Sequence, residues 1–249
     1  MNSVLEEIFQ TGHVKSADGE SVKLHSGITA EQGYFLQEII SKIKPKVSLE
    51  VGLAYGISAL FICEALQKNS PAHHIIIDPF QFNYWKGIGL ENLKRAGYEE
   101  IIEFHKEYSH LALPQLESKQ IKIDFAFIDG MHTFDHTLID FFFVDKLLNI
   151  GGIVVIDDCS FPSIRKVCRF IVRNRSYSVF QCFPTREYQL SFQRKLLKYA
   201  AGISQPIRTI LKPEFLLPDL DLGLIPKLRC IAFKKEAEDK RKWDFHREF

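Results

Sequence analysis

The chain has 249 residues, 46% of them apolar and 25% charged, and a formal charge of +1. Such a composition fits one globular α/β domain with attachments and excludes a disordered or strongly basic nucleic-acid-binding chain, so function has to reside in local clusters of residues. The five cysteines, at 63, 159, 168, 182 and 230, form no C-x-x-C pair, which argues for reduced core thiols over a zinc knuckle or a disulfide framework. Met1 to Glu20 lacks the basic start and apolar run of a signal peptide, and no apolar stretch reaches 18 residues; a cytoplasmic protein is expected.

In chain order, Thr29 to Ile43 is an amphipathic helix with Phe35, Leu36, Ile39, Ile40 and Ile43 on one side, ahead of Pro45. From about residue 47 to 183, short apolar runs alternate with helical patterns. Strands are expected at Val47–Val51, Ile75–Ile77, Ile101–Phe104, Asp124–Ile128, Ile153–Ile156 and Tyr177–Phe180, and helices at Ile57–Leu66, Gly87–Ala96, Leu111–Leu116, Thr137–Leu148 and Ile164–Arg173. Leu228–Phe233 supplies a seventh strand before a charged tail. The pattern predicts a Rossmann-like, doubly wound α/β fold, a mostly parallel seven-stranded sheet with helices on both faces; its last strand is expected to run antiparallel. Four parts make up this single domain: an N-terminal helical extension (1–46), a cofactor-binding core (47–183), an insertion or lid (184–226), and the last strand with its tail (227–249). The insertion mixes basic and apolar residues, from Phe192 to Tyr199, with Pro206, Pro213, Pro218 and Pro226. It reads either as a cover for the active site or as a basic amphipathic helix that serves only as a dimer contact or solvated face.

The run Leu49-Glu50-Val51-Gly52-Leu53-Ala54-Tyr55-Gly56-Ile57-Ser58 is a buried strand, a glycine turn and a helix start, where a ligand can approach bare backbone. Gly52 and Gly56 fit neither G-x-G-x-x-G nor the Walker spacing. Glu50 suits a ligand with an amino group or hydroxyls, such as S-adenosylmethionine, better than a phosphate. In a parallel sheet the ligand lies beyond the carboxyl ends of the strands. Here those ends carry Glu50, Asp78, Asp129 and the pair Asp157-Asp158. Gathered acids repel one another unless something positive joins them, as a sulfonium and an ammonium would. Asp78 is placed to hold a ribose diol. Asp129, Asp157 and Asp158 offer oxygen ligands to a hard cation such as Mg²⁺, the alternative being that these aspartates only cap the following helices. His132, three residues after Asp129, is the candidate base; Ser109 either meets an adenine edge or caps the helix beginning near Leu111.

These motifs resemble those of class I S-adenosylmethionine-dependent methyltransferases. Within them, the chain is similar to the small O-methyltransferases typified by the catechol and caffeoyl-CoA enzymes, in the bacterial group with D-G-x-H followed by G-G-x-x-x-x-D-D. The similarity runs from about Thr29 to Arg173 and includes Glu31-Gln32-Gly33-Tyr34-Phe35-Leu36 as the pre-core helix. It implies that Ser58 binds the methionine carboxylate, Asp78 the ribose and Ser109 the adenine side. It further implies a divalent ion held by Asp129, Asp157 and Asp158. Relatives often carry Asn in place of Asp158 and a Lys base in place of His132. The expected function is O-methylation of a small-molecule hydroxyl, catalysed by His132 and Asp129 with divalent metal assistance, without nucleic-acid or membrane partners and with a homodimer as a candidate state. The alternatives are a metal-independent N- or sugar O-methyltransferase and a cofactor-binding scaffold without chemistry.

Overall fold

A strand that is apolar along its whole length has to be covered on both faces, and the computed structural model, which describes residues 1–68, 71–184, 219, 224 and 228–249, shows how. The elements run α1 (Ser3–Thr11), β1 (His13–Lys15), β2 (Ser21–Lys23), α2 (Ala30–Ile43), β3 (Val47–Val51), α3 (Ile57–Gln67) and β4 (His73–Ile77). There follow α4 (Ile88–Arg95), β5 (Ile102–His105), α5 (Ser109–Ser118), β6 (Ile123–Ile128), α6 (Phe134–Leu147), β7 (Leu148–Ile156), α7 (Pro162–Asn174), β8 (Tyr177–Phe183) and β9 (Cys230–Lys235). The main sheet has seven strands in the order β5-β4-β3-β6-β7-β9-β8, and β9 alone runs against both of its neighbours. The doubly wound fold and its antiparallel last strand are as expected.

Successive strand residues feed two separate cores. Ile76, Phe125, Phe127, Ile153 and Val155 pack with α2 and α3 residues such as Leu36, Ile39 and Leu60. Leu49, Val51, Ile75, Ala126, Ile128 and Val154 pack on the other face with Leu113, Phe141, Val144 and Val167. The chain leaves β3 for β4 on one side and returns to β6 on the other, so the carboxyl end of β3 is the switch point where a crevice opens.

The N-terminal extension departs from an all-helical piece. It contains the hairpin β1–β2 between two helices, and α1 is capped by Asn2, whose side chain accepts from the Leu5 amide. Helix α2 starts with a capping box: Gln32 N–H donates to the Thr29 hydroxyl while the Gln32 carboxamide accepts from Thr29 N–H. The reading of 184–226 as a cover or dimer contact lies outside the described residues apart from Pro184, Asp219 and Leu224.

Candidate active site

The turn after β3 works only with glycine at its first position. Gly52 has φ +93°, and a Cβ there would lie 2.3 Å from the Asp129 carbonyl oxygen, so the ends of β3 and β6 meet through bare backbone. Gly56, at φ +77°, is the N-cap of α3 and offers no side-chain acceptor, leaving the first-turn amides around Ile57 and Ser58 for a ligand anion. The intervening loop is held by Asp78. One of its carboxylate oxygens accepts from Leu53 and Ala54 N–H at 3.0 and 2.9 Å, and the other from Phe80 N–H at 2.7 Å. That grip sustains Ala54 in the left-handed region, at φ 48°. Asp78 therefore builds the loop as well as facing the crevice, and one remaining acceptor position is what it offers a diol.

These elements enclose a cavity of about 330 Å³ lined by Gly52, Ser58, Asp78, Ser109, Asp129, His132, Asp157 and Asp158, with Trp85, Tyr108, His110 and Arg229. Of the cofactor residues read from the sequence, Gly56 packs against the Gly89 backbone beside this cavity. Glu50 is elsewhere. Its side chain is fully buried and faces the α2–α3 core, where the His74 ring meets it at 3.3 Å and Ser48 completes the chain at 2.9 Å. Strand alternation explains this: Glu50 pairs with Ile76 in register, so His74, two residues earlier on β4, is its diagonal neighbour on the same face. One Glu50 oxygen has no hydrogen-bond partner among the described residues.

The adjacent acids after β7 separate sharply. Asp157 is turned into the protein, where Gln32 donates from its Nε2 at 3.2 Å and the Cys230 thiol donates at 3.0 Å. Asp158 adopts the left-handed conformation, φ 51°, which swings its carboxylate to the His132 Nδ1 at 3.5 Å. The three-oxygen set of Asp129, Asp157 and Asp158 is thus not assembled. Instead, ligand atoms of Asp129, His132 and Asp158 all lie within 4.8 Å of one another. This mixed nitrogen and oxygen set fits Mn²⁺, Co²⁺ or Zn²⁺ at least as well as Mg²⁺. Burial pushes the Asp129 carboxyl well above the usual carboxylate range, reinforced by Asp157, Asp158 and Glu50 and opposed by Arg229. Asp157 is raised mainly by burial.

Ser109 is the first residue of α5 and not its cap, since the N-cap is Tyr108 without a side-chain bond. It lines the cavity and sits by Asp140, a buried α6 acid whose pKa burial lifts to about 6 against the pull of Ser109, His136 and His110. Gln32, which holds Asp157, belongs to the pre-core helix motif, and its T-x-x-Q spacing marks a capping box, but its tie to Asp157 was not read; Arg229 stands next to a strand far along the chain, and no local motif marks it.

Residues 49–159 match a family model described as a methyltransferase domain. The tapetum-specific methyltransferase 1 of Arabidopsis thaliana is 30% identical over 135 residues, covering 53% of this chain and 54% of that protein. A caffeoyl-CoA O-methyltransferase of Populus kitakamiensis is 29% identical over 138 residues, with 53% and 54% covered. This chain therefore spans about half the length of the curated relatives it matches. An O-methyltransferase from Bacillus cereus, solved in complex with S-adenosylhomocysteine, superposes with a TM-score of 0.59 at 22% identity, covering 72% of this chain and 83% of that one. The fold is that of the class I methyltransferases. Within that class, the core of the chain is similar to the caffeoyl-CoA O-methyltransferase group.

Proposed function

We propose that this chain transfers a methyl group from S-adenosylmethionine to a hydroxyl oxygen of a small molecule. The observation that carries the reading is the single cavity in which the Gly52–Ser58 turn, Asp78 and Ser109 stand beside the His132–Asp158 pair. Ser58 and the α3 amides would take the donor's carboxylate, Asp78 its ribose and Ser109 its adenine side. The acid cluster would receive the sulfonium and ammonium charges. Methyl transfer is an in-line displacement at carbon, so the protein's contribution is alignment and removal of the acceptor's proton. His132 would accept that proton at Nε2, oriented by Asp158 at Nδ1.

The test is transfer of labelled methyl to a panel of phenolic and catecholic acceptors. His132→Ala should reduce turnover by roughly 10²–10⁴-fold while S-adenosylhomocysteine affinity stays near its original value. Unchanged turnover would remove the base, and cofactor binding without any product would favour a scaffold.

A divalent ion on Asp129, His132 and Asp158 is a second reading, favoured by the convergence of those three ligand atoms. When bound, such an ion lowers the pKa of a coordinated acceptor hydroxyl. Turnover that survives exhaustive chelation would exclude it. None of the five cysteines is joined in a disulfide, which supports action in the cytoplasm. No described helix is long and apolar enough to cross a membrane.

A further inference from the structure

Arg229 is the one Lys or Arg among the described residues lining the cavity; its charge offsets the acid cluster, but no hydrogen bond to those acids takes up its fork of donors. Its backbone is pinned by both neighbours: Arg229 N–H donates to the Phe183 carbonyl at 2.7 Å, and its own carbonyl accepts from Cys159 N–H at 2.8 Å. The side chain is 46% exposed and approaches Asp158 at 3.6 Å and Asp157 at 3.9 Å through Nε. Both distances exceed hydrogen-bond reach. A purely structural arginine closes its fork on a carboxylate, as Arg241 does on Asp239 at 2.8 and 2.9 Å. Arg229 makes no such fork among the described residues.

The two acids near it also have other partners. Asp157 accepts from Gln32 and Cys230, and the other oxygen of Asp158 faces His132 Nδ1 at 3.5 Å. In the methyl-transfer reading the donor's carboxylate lies at Ser58 and the α3 amides, so the guanidinium beside Asp157 and Asp158 meets the donor's sulfonium and ammonium, which it repels. The other ligand of the same cavity is left as its partner.

We propose that Arg229 binds a carboxylate on the methyl acceptor and so sets the acceptor hydroxyl against His132. The planar fork of five donors matches a carboxylate in two parallel bonds, and the guanidinium stands beside the Asp158 that orients the base. The inference rests on the methyl-transfer reading and narrows it to acceptors that carry a negative group.

The test is calorimetry on the full chain loaded with S-adenosylhomocysteine, comparing 3,4-dihydroxybenzoate with its neutral counterpart 3,4-dihydroxybenzyl alcohol. The carboxylate should bind on the order of tenfold or more tightly than the alcohol, as a charge-assisted pair supplies. Arg229→Gln should abolish that preference, and Arg229→Lys, which keeps charge without the fork, should retain part of it. In turnover, the loss should appear as a raised KM for the benzoate. Equal or absent binding of the two compounds, or a preference that survives Arg229→Gln, overturns the proposal. Failure of the broader reading is distinct: it shows as no S-adenosylhomocysteine binding, or as no methylated product while the benzoate still binds through Arg229.

Discussion

Neighbouring residues of like chemistry do different work here, and backbone geometry decides which. Asp157 ends β7 with its side chain directed to Gln32 and Cys230, whereas Asp158, one residue on, is turned by a left-handed φ toward His132. A count of acids shows neither direction, which is why the sequence reading grouped Asp157 with Asp129 and Asp158. Glu50 lies outside the cavity lining for a related reason, because the pleat of β3 points it at His74. Asp140 gives a pH test at this scale. It is 2% exposed, one oxygen lacks a partner among the described residues, and its pKa is lifted to about 6 from 3.8. A raised folded-state pKa contributes stability that is fully present below the unfolded value and is lost as pH rises through the folded one. The wild-type protein should thus lose about 1–3 kcal/mol from this group between pH 4 and pH 7. In urea unfolding, Asp140→Asn should match or exceed wild-type stability at pH 7.5 and lose that advantage near pH 4.5; a pH-independent difference would contradict the assignment.

Elements with a strong local signal were read closely. Strand β3 is as expected, and α3 begins at the expected Ile57 because the glycine turn before it admits no other start. Strand β7 begins five residues earlier than its apolar run, since the chain from Leu148 through Gly152 continues in strand across a register irregularity that polar Asn149 and two glycines conceal. The hairpin β1–β2 is only three residues a side, too short for alternation to register. The charged tail after β9 is also more ordered than its composition suggests: Asn174 on α7 donates to the Arg247 carbonyl at 2.9 Å and accepts from its N–H at 3.0 Å. The turn between β3 and α3 is the element on which the proposed cofactor binding depends. Gly52→Ala would force a Cβ against the Asp129 carbonyl at φ +93°. The change should cost about 2 kcal/mol or more in stability and weaken S-adenosylhomocysteine binding at least tenfold. Calorimetry together with thermal unfolding checks both, and an unaffected affinity would separate this turn from the ligand.

At the scale of the molecule, the alternation of strand and helix was enough to reveal the wound sheet, while the direction of its last strand is not written in that pattern. Once the strand order is known, the switch point at β3 locates the crevice. The approach of Arg229 to the crevice was not legible, because Arg229 and Gln32 come from opposite ends of the chain and meet Asp157 only after the sheet is assembled. The central claim is that this crevice holds a methyl donor with its sulfur turned to the His132–Asp158 pair. A crystal structure of the protein with S-adenosylhomocysteine tests it most directly. The account predicts the adenosyl group between the Gly52–Ser58 turn and Ser109, with the sulfur facing His132. A cofactor bound elsewhere, or none at saturating concentration, would contradict it.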